Sequence, residues 1–74
     1  MVEAIKDILR REKAVTEDDI ISYVQKAVPG SKKPGIRAVI TKMVNKEELV
    51  AVEYKGDTYF LLRSTYERLR GGRS

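Results

Sequence analysis

The chain has 74 residues and a formal net charge of +4. This length predicts one small domain with a single core, and the charge makes that domain mildly basic. It contains no cysteine and no histidine, so a disulfide framework, a zinc site built from these ligands and Ser-His or Cys-His catalysis are excluded. The predicted function is therefore non-catalytic, without a cofactor, a metal or a small-molecule substrate.

The first part of the chain predicts two helices joined by a short strand. In VEAIKDILRREK, residues 2–13, apolar residues recur three and four apart, which is the spacing of one helical face. The following AVT is short and β-branched and predicts a brief edge strand. Thr16 then precedes three acids, residues 17–19, and its hydroxyl is expected to cap a second helix. Pro29 and Gly30 are expected to end that helix.

A third helix follows the turn-rich connector GSKKPG, with Pro34 suited to its first turn. Its apolar residues give the most regular helical period in the chain. They are Ile36, Val39, Ile40, Met43 and Val44. This stripe is expected to face the core.

The last part predicts a β-hairpin and a short helix. LVAVEY and TYFLL are rich in strand formers, and Gly56 between them suits a tight turn. Both faces of this ribbon are apolar, so the sequence leaves open which one turns inward. Ser64 and Glu67 predict a capping box for a final helix that carries Tyr66 and Leu69 and ends at Gly71.

The predicted order is helix, short strand, helix, loop, helix, hairpin and helix. Three helices followed by a hairpin are the arrangement of the winged helix-turn-helix. The predicted fold class is therefore α+β, with a three-helix bundle, a β-hairpin wing and a short C-terminal helix over residues 1–70. Residues 71–74 are expected to form a flexible tail.

Three short stretches, VEAIKDIL, VNKEELV and YKGDTYFLL, resemble the globular domain of linker histones. The segment VEYKG, residues 52–56, is also similar to the small winged helix of atherin and of the MOZ-type histone acetyltransferases. That group binds unmethylated CpG DNA and uses an aromatic-Lys-Gly wing. The resemblance implies a DNA-binding role in chromatin or transcription regulation, with Tyr54, Lys55 and Gly56 as the matching wing positions.

One segment of the chain is free of acids. Residues 29–46 carry five basic residues and no acidic one, while the remaining segments contain both signs. At about 100° per residue, the helical face opposite the apolar stripe centres on Ala38 and Asn45. A basic helix face is expected to attract a polyanion and to fit the major groove of duplex DNA. The candidate DNA-binding residues in helix three, its connector and the wing are Ser31, Lys32, Lys33, Arg37, Thr41, Lys42, Asn45, Lys46, Tyr54, Lys55 and Gly56.

Other interpretations of the same features stay open. A lysine-rich face is also typical of a solvated surface, and Tyr54 and Tyr59 are typical of cross-strand packing. A second basic zone, formed by Arg63, Arg68, Arg70 and Arg73, is predicted to continue the phosphate track.

The alternative function is protein binding, favoured by any apolar patch around Tyr54, Tyr59 or Tyr66 and by an acidic strip beside the basic helix. This strip consists of Glu47, Glu48, Glu53 and Asp57. A structured RNA is a further candidate ligand. No apolar run approaches the roughly 20 residues that span a bilayer, and no apolar leader precedes the first helix. We therefore expect an intracellular protein without membrane association, nuclear if the organism is eukaryotic.

Overall fold

The computed structural model describes residues 1–71, which form four helices and a three-stranded antiparallel sheet. In chain order the elements are α1 (Val2–Glu12), β1 (Val15–Thr16), α2 (Glu17–Ala27), α3 (Lys33–Asn45), β2 (Leu49–Tyr54), β3 (Asp57–Leu62) and α4 (Arg63–Gly71). The predicted order of elements and the α+β class are confirmed, and the architecture is compatible with a winged helix. Of the predicted tail, Gly71 closes α4 and residues 72–74 lie outside the described residues.

The core lies among α1, α2, α3 and one face of the sheet. Each helix contributes the apolar stripe that its spacing predicted, although Val2 and Ala27, at the two ends of the α1 and α2 stripes, are exposed. The best buried side chains are Ile5, Leu9, Ile20, Val24, Ile36, Ile40 and Leu49. Three helices thus bury one face each and leave their polar faces in solvent.

Capping follows the prediction at α2 but not at α4. The Thr16 hydroxyl accepts the Asp19 amide, and the Asp19 carboxylate accepts the Thr16 amide, both at 3.3 Å, which completes a capping box. The capping box predicted for Ser64 and Glu67 is wrong. Helix α4 begins at Arg63, so Ser64 lies inside the helix, and the Glu67 carboxylate instead accepts the Arg63 guanidinium at 2.9 Å.

The sheet has the order β1-β3-β2, with both pairs antiparallel. A two-residue turn joins β2 to β3, and both of its residues have positive φ, 51° at Lys55 and 86° at Gly56. Positive φ at both central positions is the requirement of a type I′ hairpin turn. The predicted position of the hairpin is confirmed.

The hairpin is apolar on both faces because helices pack against both. Leu49 is paired with Leu62, and Phe60 is opposite Val15, so these side chains share the face that meets the core. Val52 and Leu61 lie on the other face, beneath α4. Helix α4 is short and covers that second face only in part.

Candidate nucleic-acid interface

Helix α3 presents an exposed polar face opposite its buried stripe, as its period predicts. Ile36, Ile40 and Met43 are buried in the core, while Val39 and Val44 are half-buried. The exposed side chains of the opposite face are Arg37, Ala38, Thr41, Lys42 and Asn45. Because Ala38 is small and central, a ligand can approach the helix backbone closely there.

The start of α3 adds further positive charge to this face. Lys32 occupies the N-cap position without capping through its side chain, Pro34 lies in the first turn, and that turn contains no acid. The amides of a helix start and its dipole both favour an anion, and Lys32 and Lys33 are exposed beside them. Ser31 is half-buried in the preceding turn, where its amide donates to the Val28 carbonyl at 3.2 Å.

Among the candidate cations of residues 1–71, the lysines have no carboxylate partner, but Arg37 has one. Its Nε lies 3.3 Å from the Glu17 carboxylate at the start of α2, and the two side chains remain 55% and 36% exposed. Within residues 1–71, no carboxylate oxygen lies within 4.0 Å of the nitrogens of the candidate lysines. These lysines are Lys32, Lys33, Lys42, Lys46 and Lys55. Glu17 therefore competes with any ligand for Arg37, and DNA binding by Arg37 stays a prediction.

Two acids that follow α3 in sequence are held by basic residues of other elements. The Glu47 carboxylate accepts a hydrogen bond from Arg63, and Glu48 lies 4.0 Å from the Lys6 ammonium. The hydrogen bond to Glu67, and then the one to Glu47, raise the pKa of Arg63 above its ordinary value. Arg63 is thus engaged by acids and does not continue a free basic track, contrary to the prediction. The same contacts partly neutralise the acidic strip beside α3.

The tip of the hairpin is exposed and carries the predicted wing residues, Tyr54, Lys55 and Gly56. The Tyr54 ring meets the Tyr59 ring edge-on, with 6.5 Å between their centroids and 61° between their planes. The Lys55 ammonium lies 5.5 Å from the Tyr54 ring centroid. The contact between the two rings agrees with the interpretation of these tyrosines as cross-strand packing, and base reading by Tyr54 stays a prediction. The structure places Tyr54 beside the sheet face under α4, while the helix residues of the site lie together on α3.

A groove on that sheet face was only partly foreseen from sequence. It has a volume of ≈ 550 Å³ and an almost entirely apolar lining, formed by Ala14, Val52, Tyr54, Tyr59, Leu61, Tyr66, Leu69 and Arg70. The sequence raises a patch around the three tyrosines as an open alternative, but no spacing rule connects Leu61 and Leu69 to it. The signal for them was the two-sided apolar hairpin followed by a helix with apolar residues three apart, at Tyr66 and Leu69.

Comparisons with protein-family models, with curated proteins and with solved structures find no match to this chain. Within residues 1–71, no helix is both long and apolar enough to cross a membrane, and no group of three or more Asp, Glu, His or Cys side chains is placed to hold a metal ion.

Proposed function

We propose that this chain is a winged-helix module without catalytic activity that binds duplex DNA through α3 and the hairpin. One observation carries the proposal: α3 presents an exposed, acid-free face whose lysines have no carboxylate partner in residues 1–71. The order of elements, with α2 and α3 joined by a short connector and followed by a hairpin, supports the winged-helix assignment.

The chemistry of the α3 face suits both parts of DNA recognition. Arg37, Thr41 and Asn45 offer donors and acceptors to base edges, because an α-helix fits the major groove. The phosphates are assigned to the exposed lysines, each of which releases condensed counterions when it neutralises a phosphate. These are Lys32, Lys33, Lys42, Lys46 and Lys55.

A double variant, Arg37→Ala with Lys42→Ala, tests the proposed face. We expect its affinity for a duplex to fall at least about tenfold, since one base-edge donor and one phosphate contact are lost. Fluorescence anisotropy with labelled duplex measures this, and repeating it over a range of salt should show affinity falling steeply. Arg10→Ala with Lys26→Ala is the matched control, because it removes the same charge from exposed sites on α1 and α2.

Unchanged affinity in the α3 variant, equal losses in the two double variants, or affinity that is insensitive to salt would each contradict the proposal. Circular dichroism should show that both variants are folded, since all four side chains are exposed. Duplexes that contain CpG, methylated CpG or neither test the specificity implied by the wing resemblance. Duplex RNA of equal length tests the alternative ligand.

Protein binding is a second proposed function, favoured by a specific observation. An apolar patch around Tyr54, Tyr59 or Tyr66 favours this alternative, and all three tyrosines line the groove under α4. Its position on the sheet face away from the core separates it from the α3 face. The two proposed sites therefore overlap only at the tip of the hairpin.

A further inference from the structure

The groove between the hairpin and α4 exposes apolar side chains that the fold leaves unused. Tyr54 is 60% exposed and Leu69 is 63% exposed, and they come from the two elements that flank the groove. Leu61, at its floor, is buried but lies apart from the main core cluster. An exposed, mostly apolar surface of this kind is a candidate docking site, because a partner that covers it removes apolar area from water.

The groove carries a cation on each side. The Lys55 ammonium lies 5.5 Å from the centroid of the Tyr54 ring, and the Arg70 guanidinium lies 5.7 Å from the centroid of the Tyr66 ring. No carboxylate oxygen of residues 1–71 lies within 4.0 Å of either group. The groove face of the two strands carries residues 50, 52, 54, 57, 59 and 61, and Asp57 is the single acid among them, since Glu53 lies on the opposite face. The flanks therefore have charge available for an anionic ligand.

We propose that this groove binds an acidic, amphipathic peptide segment of a partner protein. Apolar side chains of the segment pack between Tyr54 and Leu69, and its carboxylates pair with Lys55 and Arg70. Such a segment satisfies both properties of the site, since the cations gain charge-assisted hydrogen bonds while the tyrosines and leucines lose water contact. The inference rests on the second proposed function, protein binding, and does not depend on DNA binding by α3.

A second copy of the chain fits the groove less well. In a two-fold symmetric dimer the same patch meets itself, so two grooves that both carry Lys55 and Arg70 would face each other. The eight residues that line the groove also offer far less surface than the roughly 800 Å² per partner that a stable interface buries. A segment of opposite charge avoids both difficulties.

The test is an NMR titration of the ¹⁵N-labelled protein with two synthetic peptides. The first has leucines three and four apart and glutamates at the other positions, and the second replaces every glutamate with glutamine. We expect the acidic peptide to shift the amides of Val52, Tyr59, Leu61 and Leu69, and to bind at least about fivefold more tightly than its neutral analogue.

Two groove variants and one control sharpen the test. Leu69→Glu should lower the affinity for the acidic peptide at least about tenfold, since it places a negative charge like that of the peptide on an apolar contact. Arg70→Gln should weaken the acidic peptide and leave the neutral analogue unchanged. Gln25→Glu adds the same charge at an exposed position on α2 and should have little effect.

Each remaining outcome overturns the inference in a distinguishable way. Equal affinity for the two peptides would contradict the preference for an acidic segment but not the proposal that the groove binds protein. If neither peptide shifted the groove amides, both proposals would be contradicted. If the acidic peptide shifted only amides of α3, it would be acting as a general polyanion. If the groove amides shifted with protein concentration in the absence of peptide, a second copy of the chain would be the occupant.

Discussion

Arg37 lies on the proposed DNA-binding face of α3 and also reaches Glu17 at the start of α2, with 3.3 Å between Nε and the carboxylate. An exposed pair of this kind is worth about 0.2–1 kcal/mol, because water and salt screen it. A DNA phosphate or a guanine edge offers Arg37 a stronger, multivalent set of acceptors. Glu17 therefore holds the arginine in place without preventing its transfer to a ligand.

Glu17→Gln should raise the affinity for duplex DNA by about two- to fivefold, because Arg37 is released and a negative charge near the DNA is lost. Fluorescence anisotropy at constant salt measures the change. Asp18→Asn is the matched control, since it removes the same charge from the same turn, and Asp18 has no ion pair with Arg37. Equal effects of the two substitutions would show that general repulsion, and not this pair, is responsible.

At the scale of the elements, α1 and α2 are joined by a side-chain hydrogen bond in which the Tyr23 hydroxyl donates to the Asp7 carboxylate. That hydrogen bond, aided by partial burial and by the negative charge of Asp7, raises the pKa of Tyr23 above its ordinary value of 10.0. A raised pKa means that the folded state favours the protonated phenol. This contribution to stability is therefore complete below pH 10 and is lost as the pH rises through the folded-state pKa.

Tyr23→Phe should remove a high-pH component from the absorbance titration of the tyrosines. The same variant should lose less stability above pH 10 than the unmodified protein does, when unfolding is followed by urea titration at several pH values. Asp7→Asn should move the titration of Tyr23 back toward 10.0. Tyr66→Phe removes a phenol elsewhere and should retain the high-pH component, so its loss in that variant would contradict the assignment.

The elements that depend on local signals were predicted from sequence. The helical stripes, the Thr16 cap and the Gly56 turn each need only residues close together in the chain. The pairing of Arg37 with Glu17 joins residues of different helices, and no spacing rule reaches that far. The Ser64 cap failed for a related reason, because the Arg63 side chain reaches Glu67 and Glu47 and the helix starts two residues earlier than a cap at Ser64 requires. The sequence does not decide which face of the hairpin turns inward, because helices pack on both faces and both are apolar.

In the whole molecule, the sheet separates two surfaces of different character. The three-helix core and α3 lie on one side, and α4 with the apolar groove lies on the other. The tip of the hairpin belongs to both, since Lys55 is a proposed phosphate contact and also flanks the groove. The two proposed ligands are both anionic, and both are proposed to contact the Lys55 side chain.

Lys55→Asn should lower the affinities for the duplex and for the acidic peptide by a few-fold, because each ligand loses one cationic contact. The same change should stabilise the fold by about 0.5–1 kcal/mol, because asparagine tolerates the left-handed conformation of this turn position better than lysine does. Thermal unfolding and the two binding titrations measure these effects. Lys55→Gln is the control, since it removes the charge without improving the turn, and a gain in stability there would contradict the backbone argument.

The positive φ of Lys55 opposes the stability of the turn to the two ligand contacts proposed for this side chain. A redesign guided by thermostability alone would choose asparagine at this position early, because Asn-Gly is the preferred pair for such a turn. The resulting variant is expected to have a higher melting temperature and a lower affinity for both proposed ligands. Screening designs of this protein for ligand capture as well as for heat resistance would reveal the conflict at Lys55.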